Sequence, residues 1–274
     1  MIYDCFIFYN ENDLLDLRLN YLNSVIDKFI IVEANRTFTG IKKSKNFDAE
    51  RFKNFSDKII YVYLEDIPVQ KTPWHYESLQ RNYILDILKK QNVSEEDIIL
   101  LSDVDEIPSI DAIEYYKNNL NGIYGFAQKM YNYYFNLLDK YREPWHRAKI
   151  LQYKDFFDTS LEDTILYGNN LPKECNTTNT VSKIRLMVKF PVIYDAGWHF
   201  SYLGNARFIK EKLNSFSHQE FNKPPYNDIE HIESCIKSCK DIFGNNTVYQ
   251  RVKINNSFPD YLVKNVDKFK QYIL

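Results

Sequence analysis

A chain of 274 residues with a formal charge of −2 carries no electrostatic footprint for nucleic acid or for an anionic membrane surface. Its 45% hydrophobic and 26% charged residues suit a folded globular protein with a sizeable core. No stretch approaches the ~20 apolar residues that span a bilayer.

In chain order, the apolar run 3–9 reads as a buried strand. Residues 11–25 place Leu14, Leu15, Leu17, Leu19 and Leu22 at mixed helical spacing. Strands follow at 29–34 and 58–64, then a helix at 74–90 with Leu79, Tyr83, Ile84, Ile87 and Leu88 on one face. A strand at 97–103 leads into a helix at 109–120, with Ser109 as its N-cap. Strands alternating with helices predict an α/β fold with a mostly parallel, doubly wound central sheet. Ligands in such sheets bind beyond the carboxyl ends of the strands, where Glu33 and Asp103 fall.

From about residue 123 the texture changes. Residues 124–140 and 145–156 read as longer aromatic-rich strands, forming a hairpin or an added sheet. Residues 182–204 contain at least one further strand and end in a loop rich in glycine and aromatic residues. Helices are expected near 205–216 and 227–240, and the tail 258–274 reads as a docking helix. With no repeat, low-complexity tract or Gly/Ser linker, the expectation is one domain in two halves, 1–122 and 123–274.

The 22 tyrosines and 19 phenylalanines have two readings: an AT-rich coding composition, or rings that line a carbohydrate or nucleotide cleft. Cys5, Cys175, Cys235 and Cys239 form no spaced metal motif and are expected as reduced thiols. The opening "MIYDCFIFYN" lacks a basic region and a long apolar run. A cytoplasmic chain, or one peripheral to a membrane, is expected from this. The triplets Asn54-Phe55-Ser56 and Asn176-Thr177-Thr178 then read as accidents of asparagine-rich composition.

The chemistry concentrates in "ILLSDVDEIP", residues 99–108, where Asp103, Asp105 and Glu106 crowd the end of a buried strand. Such acids need a positive partner. If the segment is extended, Asp103 and Asp105 point the same way, with Val104 turned inward. That pair suits Mg2+ or Mn2+ with positions left for phosphate oxygens, and a metal held there would stabilise a diphosphate leaving group. The alternative is a solvated acid pair before a helix N-terminus. A dehalogenase-type phosphatase is set aside, because the later acidic pair it needs is missing.

Glu33, Asn35 and Thr37 alternate after the second strand and could read a base or ribose, or form a turn satisfied by its own backbone. Arg81, beside Gln80, could pair with a phosphate or with the acids, or form a surface ion pair. In "DAGWHFSYLG", residues 195–204, His199 reads as a third metal or phosphate contact, or as a structural histidine. Trp198, Tyr202 and, earlier, Trp145 are candidate rings for an acceptor sugar.

The motifs "YDCFIFYNENDLLDLRLNYL", "VEANRTF", "QRN", "SDVDEIP" and "GWHFSYLG", in that order, resemble glycosyltransferase family 17 from about residue 3 to the tail. The resemblance implies a GT-A fold, a nucleotide-sugar donor bound by the first half, an acceptor on the second half, a divalent metal and inversion at the anomeric carbon. It places the metal on Asp103 and Asp105, donor contacts at Glu33, Asn35, Gln80 and Arg81, and the G-W-H motif at Trp198 and His199. UDP-GlcNAc is the implied donor and a glycan hydroxyl the implied acceptor. Animal members read W-H-C-S-W where this chain has Trp198-His199-Phe200-Ser201-Tyr202, and they carry a membrane anchor. Those departures favour a polysaccharide, lipid-linked or capsid glycan precursor over an N-glycan. The base is expected among Glu106, Glu220 and Asp195. The competing class is a catalytically inactive protein that binds a nucleotide sugar or glycan.

Overall fold

Strands buried on both faces need unbroken apolar runs, and three such runs, each buried throughout or nearly so, form the middle of the main sheet: β1 (Ile2–Ile7), β2 (Lys28–Ala34) and β4 (Ile98–Asp103). The computed structural model describes residues 1–119, 121–158 and 180–274. Between these runs lie α1 (Asn12–Leu22), the half-buried β3 (Ile59–Leu64) and α2 (Pro73–Lys90). After β4 come β5 (Glu106–Pro108), α3 (Ile110–Asn118), β6 (Tyr124–Phe126), β7 (Lys129–Asn132), β8 (Leu137–Leu138) and β9 (Lys149–Gln152). The chain continues with α4 (Thr180–Leu186), β10 (Val192–Ile193), β11 (Gly197–Ser201) and α5 (Ala206–Ser215). It ends with α6 (Ile229–Lys237), β12 (Gln250–Arg251) and α7 (Asp260–Lys264).

The main sheet runs β10-β6-β9-β4-β1-β2-β3. Its β3-β2-β1-β4 part is parallel, as the alternation of strand and helix predicts, whereas β9 lies antiparallel to both β4 and β6. Alternate residues split between the faces. Phe6, Ile31 and Leu100 join Leu15, Leu19 and Leu22 of α1 and Ile113 and Tyr116 of α3 on one side. Cys5, Ile30 and Leu101 join Ile84, Ile87 and Leu88 of α2 and Val181 and Ile184 of α4 on the other. Ser109 caps α3 by accepting a hydrogen bond from the Ala112 N–H.

A second sheet, β12-β8-β7-β11-β5, positions the site. In it β11 pairs antiparallel with β5, setting Gly197 against Pro108, Trp198 against Ile107 and His199 against Glu106. The sequence motifs "SDVDEIP" and "GWHF" are therefore adjacent strands.

Four expectations change. The aromatic stretch 124–140 forms three short strands instead of long ones, and residues 145–156 supply β9 to the main sheet instead of a hairpin partner. Helix α4 precedes the strands expected in 182–204. The tail holds only the short α7 and a 3-10 turn at Lys270–Tyr272, yet it still docks by burying Leu262 and Phe269 in a third apolar cluster with Leu17, Phe135 and Phe200. Cys5, Cys235 and Cys239 are free thiols, while Cys175 and the triplet at 176–178 lie outside the described residues. Among the described residues no helix is long and apolar enough to cross a membrane.

Candidate active site

Strand β4 stops at Asp103, and Val104–Asp105 form a turn before β5 begins at Glu106. The alternation of an extended segment therefore does not apply across 103–105, and the two aspartates face different partners. Val104 is buried as expected. Arg18 of α1 fixes the turn from below. Its guanidinium is fully buried, forks onto Asp4 at 2.6 and 2.8 Å, and donates to the Ser102 hydroxyl oxygen and to the carbonyls of Asp103, Val104 and Glu106.

The acids are neutralised by protein cations. Asp103 is gripped by Arg81 at 2.8 Å on Oδ1 and by Arg185 at 3.0 Å on Oδ2. Asp105 takes Lys212 of α5 at 2.8 Å on Oδ2, and its Oδ1 faces His199 Nε2 at 3.7 Å, beyond hydrogen-bond reach. Glu106 accepts from both Arg185 nitrogens at 2.7 and 3.0 Å, from the Asp103 N–H at 2.9 Å, and from the Trp145 indole. Glu106 is fully buried among those donors and holds the turn.

Burial opposes the charge on Asp103 and Asp105, but the cations win. Arg81 and then Arg185 hold the Asp103 carboxyl below its ordinary value, and Lys212 and then His199 hold that of Asp105 far below it. On Lys212, burial opposes the charge in the same way, and Asp105 and then Glu11 raise its pKa nonetheless. Because both aspartates titrate lower in the folded state, the unfolded chain takes up protons first as the pH falls. Their contribution is complete above the ordinary aspartate value of about 3.9 and is lost below it. The urea midpoint should therefore fall between pH 5 and pH 3, and more shallowly in Asp105→Asn than in the parent. Parallel acid limbs would refute the assignment.

Several residues singled out in the sequence serve the framework. Glu33 is fully buried and accepts from Lys43, the Asn46 and Phe47 N–H groups and the Tyr61 hydroxyl, so it secures the 43–47 loop instead of facing a base. Thr37 closes its own turn with Ile41, the alternative foreseen for that stretch. Asn35 donates to the Glu65 carbonyl, and Gln80 to that of Val32 at 2.7 Å. Trp198 lies in the core, edge-on to Tyr21 at 5.6 Å with its indole N–H on the Ser257 carbonyl, which removes it as a sugar platform. Asp195 precedes β11 at the end beside Ser109, exposed and paired with Lys129 at 3.1 Å.

Trp145 reaches the acids through its indole bond to Glu106, and Tyr202 reaches the lysine that holds Asp105. The Trp145 ring is 4.7 Å from that of His199, and the Tyr202 ring lies 5.3 Å from the Lys212 ammonium. Arg18, Arg185 and Lys212, which complete the site, escaped the sequence reading. Two carboxylates and an imidazole are suitable donors for Mn2+ or Mg2+. Here, however, both Asp103 oxygens and one of Asp105 are taken by arginine or lysine, and among the described residues no group of three His, Cys, Asp or Glu could hold an ion. Asp103, Asp105 and His199 thus do not converge as the metal centre expected, because the turn at 104–105 sends the two aspartates to separate cations.

A crowded acidic turn beyond a parallel strand, clamped by arginines and a lysine, defines an α/β protein with a charged strand-end site. The sequence profile described as Glycosyltransferase family 17 matches residues 1–166, and the chain belongs to that family. The matched span contains the acidic turn and Arg81. The chain is also 22% identical over 290 residues to the β-1,4-mannosyl-glycoprotein 4-β-N-acetylglucosaminyltransferases of Rattus norvegicus and Homo sapiens, covering 97% of itself and 53% of each relative. It spans about half the length of the curated relatives it matches. Among solved structures, it overlaps a 4-diphosphocytidyl-2C-methyl-D-erythritol synthase with TM-score 0.37 and 12% identity, over 82% of this chain and 94% of that one.

Proposed function

We propose that this chain is an inverting glycosyltransferase with a GT-A-type sheet, moving N-acetylglucosamine from UDP-GlcNAc onto a glycan hydroxyl. The observation that carries the reading is the family-matched acidic turn at the carboxyl end of β4, where ligands of such sheets bind. The name shared by the relatives supplies the sugar and the glycan class. Asp103, with a third of its side chain exposed, and Lys212, with about a quarter, are the charged groups of the turn open to a ligand. In the proposal Lys212 meets phosphate charge, while Asp103, oriented by two guanidinium groups, accepts a hydroxyl of the bound nucleotide. Glu106 and Arg18 hold Asp103 in the turn, and Asp105 holds Lys212.

Thermal melts of the full chain with UDP-GlcNAc, UDP-glucose, GDP-mannose or CMP-sialic acid, with and without Mn2+, test this. A ligand at 100 times its dissociation constant adds about 2.7 kcal/mol, roughly 5 to 10 °C for a chain of this size. UDP-GlcNAc is expected to give the largest rise and to release UDP slowly. No shift with any nucleotide sugar and no UDP release would defeat the proposal.

A further inference from the structure

The loop after α5 carries a charged pair that the donor site does not use. His218 Nδ1 lies 2.7 Å from Glu220 Oε1, and both side chains are about half exposed. An ionised carboxylate only accepts, so Glu220 places the proton on Nδ1 and leaves Nε2 as an acceptor. Among the described residues the ring's hydrogen bond is the one from Nδ1 to Glu220. Among the described residues, His218 is the histidine whose ring nitrogen sits at hydrogen-bond distance from a carboxylate.

This pair is tied to the acidic turn from two sides. The neighbouring Ser217 is buried and donates its hydroxyl to Glu77, which pairs with Arg81 at 2.9 Å, which in turn holds Asp103. On the other side a row of rings leads back to Asp105. The His218 ring meets Trp74 edge-on at 4.6 Å and Phe221 at 6.0 Å, Phe221 meets Phe243 at 4.6 Å, and Phe243 meets Tyr202 at 5.8 Å. Tyr202 lies beside Lys212, which holds Asp105. Two chains of contacts thus link the His218–Glu220 pair to the acidic turn, one polar through Ser217, Glu77 and Arg81 and one of rings through Phe221, Phe243 and Tyr202, of the kind that suits the apolar faces of a sugar.

Resting on the transferase reading above, we infer that His218 is the general base and Glu220 the residue that positions it. The acceptor hydroxyl gives its proton to His218 Nε2 as its oxygen forms the bond to the anomeric carbon. The bond from that carbon to the diphosphate oxygen breaks, and the nucleoside diphosphate leaves with the electron pair. Glu220 fixes the tautomer and stabilises the imidazolium that results. Glu220 was a candidate base from sequence; the geometry assigns it the supporting part.

The test measures UDP release from UDP-GlcNAc with a β-mannosyl-terminated glycan and with water alone. His218→Ala is expected to lower kcat about 10²- to 10⁴-fold while leaving the melting shift given by UDP-GlcNAc unchanged, and added imidazole should restore part of the rate. Glu220→Gln should lower kcat with little change in the donor KM, and Glu220→Asp should recover most of it, a split that a merely structural role would not give. His218→Ala turning over within about threefold of the parent would overturn the base assignment and leave the transferase reading intact. A parent chain that neither shifts with UDP-GlcNAc nor releases UDP would overturn the transferase reading, and the base with it.

Discussion

Replacing Arg18 with methionine is expected to cost about 3 to 5 kcal/mol of folding stability, the loss typical of breaking a buried ion pair from one side. Arg18 and Asp4 are both fully enclosed, so the variant strands a carboxylate in the core between β1 and α1. It also leaves the Asp103, Val104 and Glu106 carbonyls without their shared donor. For a chain of this length the melting temperature should drop by roughly 8 to 15 °C. The double variant Arg18→Met/Asp4→Leu removes the stranded charge and should recover part of that loss, although the turn carbonyls stay unpaired. Urea unfolding of the parent, both single variants and the double variant gives the coupling. A single variant that loses under about 1 kcal/mol would show that Arg18 does not hold the turn.

The helix that carries Arg18 shows what a sequence reveals and where it stops. Leu14, Arg18 and Leu22 are successive i, i+4 positions, and all three are buried, so the arginine stands in an apolar stripe. That placement was legible as a buried cation, and Arg185, four residues after the buried Val181, carries the same signal. What it pairs with was not legible, since Asp4 and the acidic turn reach it only through the sheet order. The βα alternation exposed the parallel core because β1, β2 and β4 are nearly continuous apolar runs. An added sheet was among the readings of the aromatic stretch, but its strand order stayed hidden because its strands are two to five residues long and take their register from partners far along the chain.

The acidic turn illustrates the same limit. The pattern of residues 99–108 marked the strand end and the need for positive charge, and the alternation rule then placed both aspartates on one side. The β4–β5 turn breaks that alternation, and Arg81, Arg185 and Lys212 arrive from α2, α4 and α5. Periodicity detects α2 and α5 by their apolar faces, whereas the short α4 went unread. Their meeting at one strand end is a tertiary fact. Likewise, nothing in the spacing of Trp74 and His218 announces that their rings touch.

Gly197→Ala is expected to be the most damaging substitution that removes no functional group. Gly197 has φ +123°, a conformation side-chain-bearing residues rarely adopt, and an added Cβ would overlap the Ile107 carbonyl oxygen and lie 2.8 Å from Pro108 Cα. Both obstacles are backbone of β5, so no rotamer change relieves them, and β11 must move away from β5. Strain and overpacking together should cost about 3 to 5 kcal/mol. Because the same pairing sets His199 against Glu106, any surviving folded protein should also lose activity, about 10²-fold for a displacement near 1 Å. Gly244→Ala is the control: its φ is +77° but nothing lies within 4 Å of the added carbon, so it should lose only about 1 kcal/mol and keep full activity. Urea midpoints and UDP release from UDP-GlcNAc for the two variants separate the conformational cost, which both share, from the steric cost, which only Gly197 carries. Equal losses in both would mean that close contact between β11 and β5 is not what holds the acidic turn against the G-W-H strand.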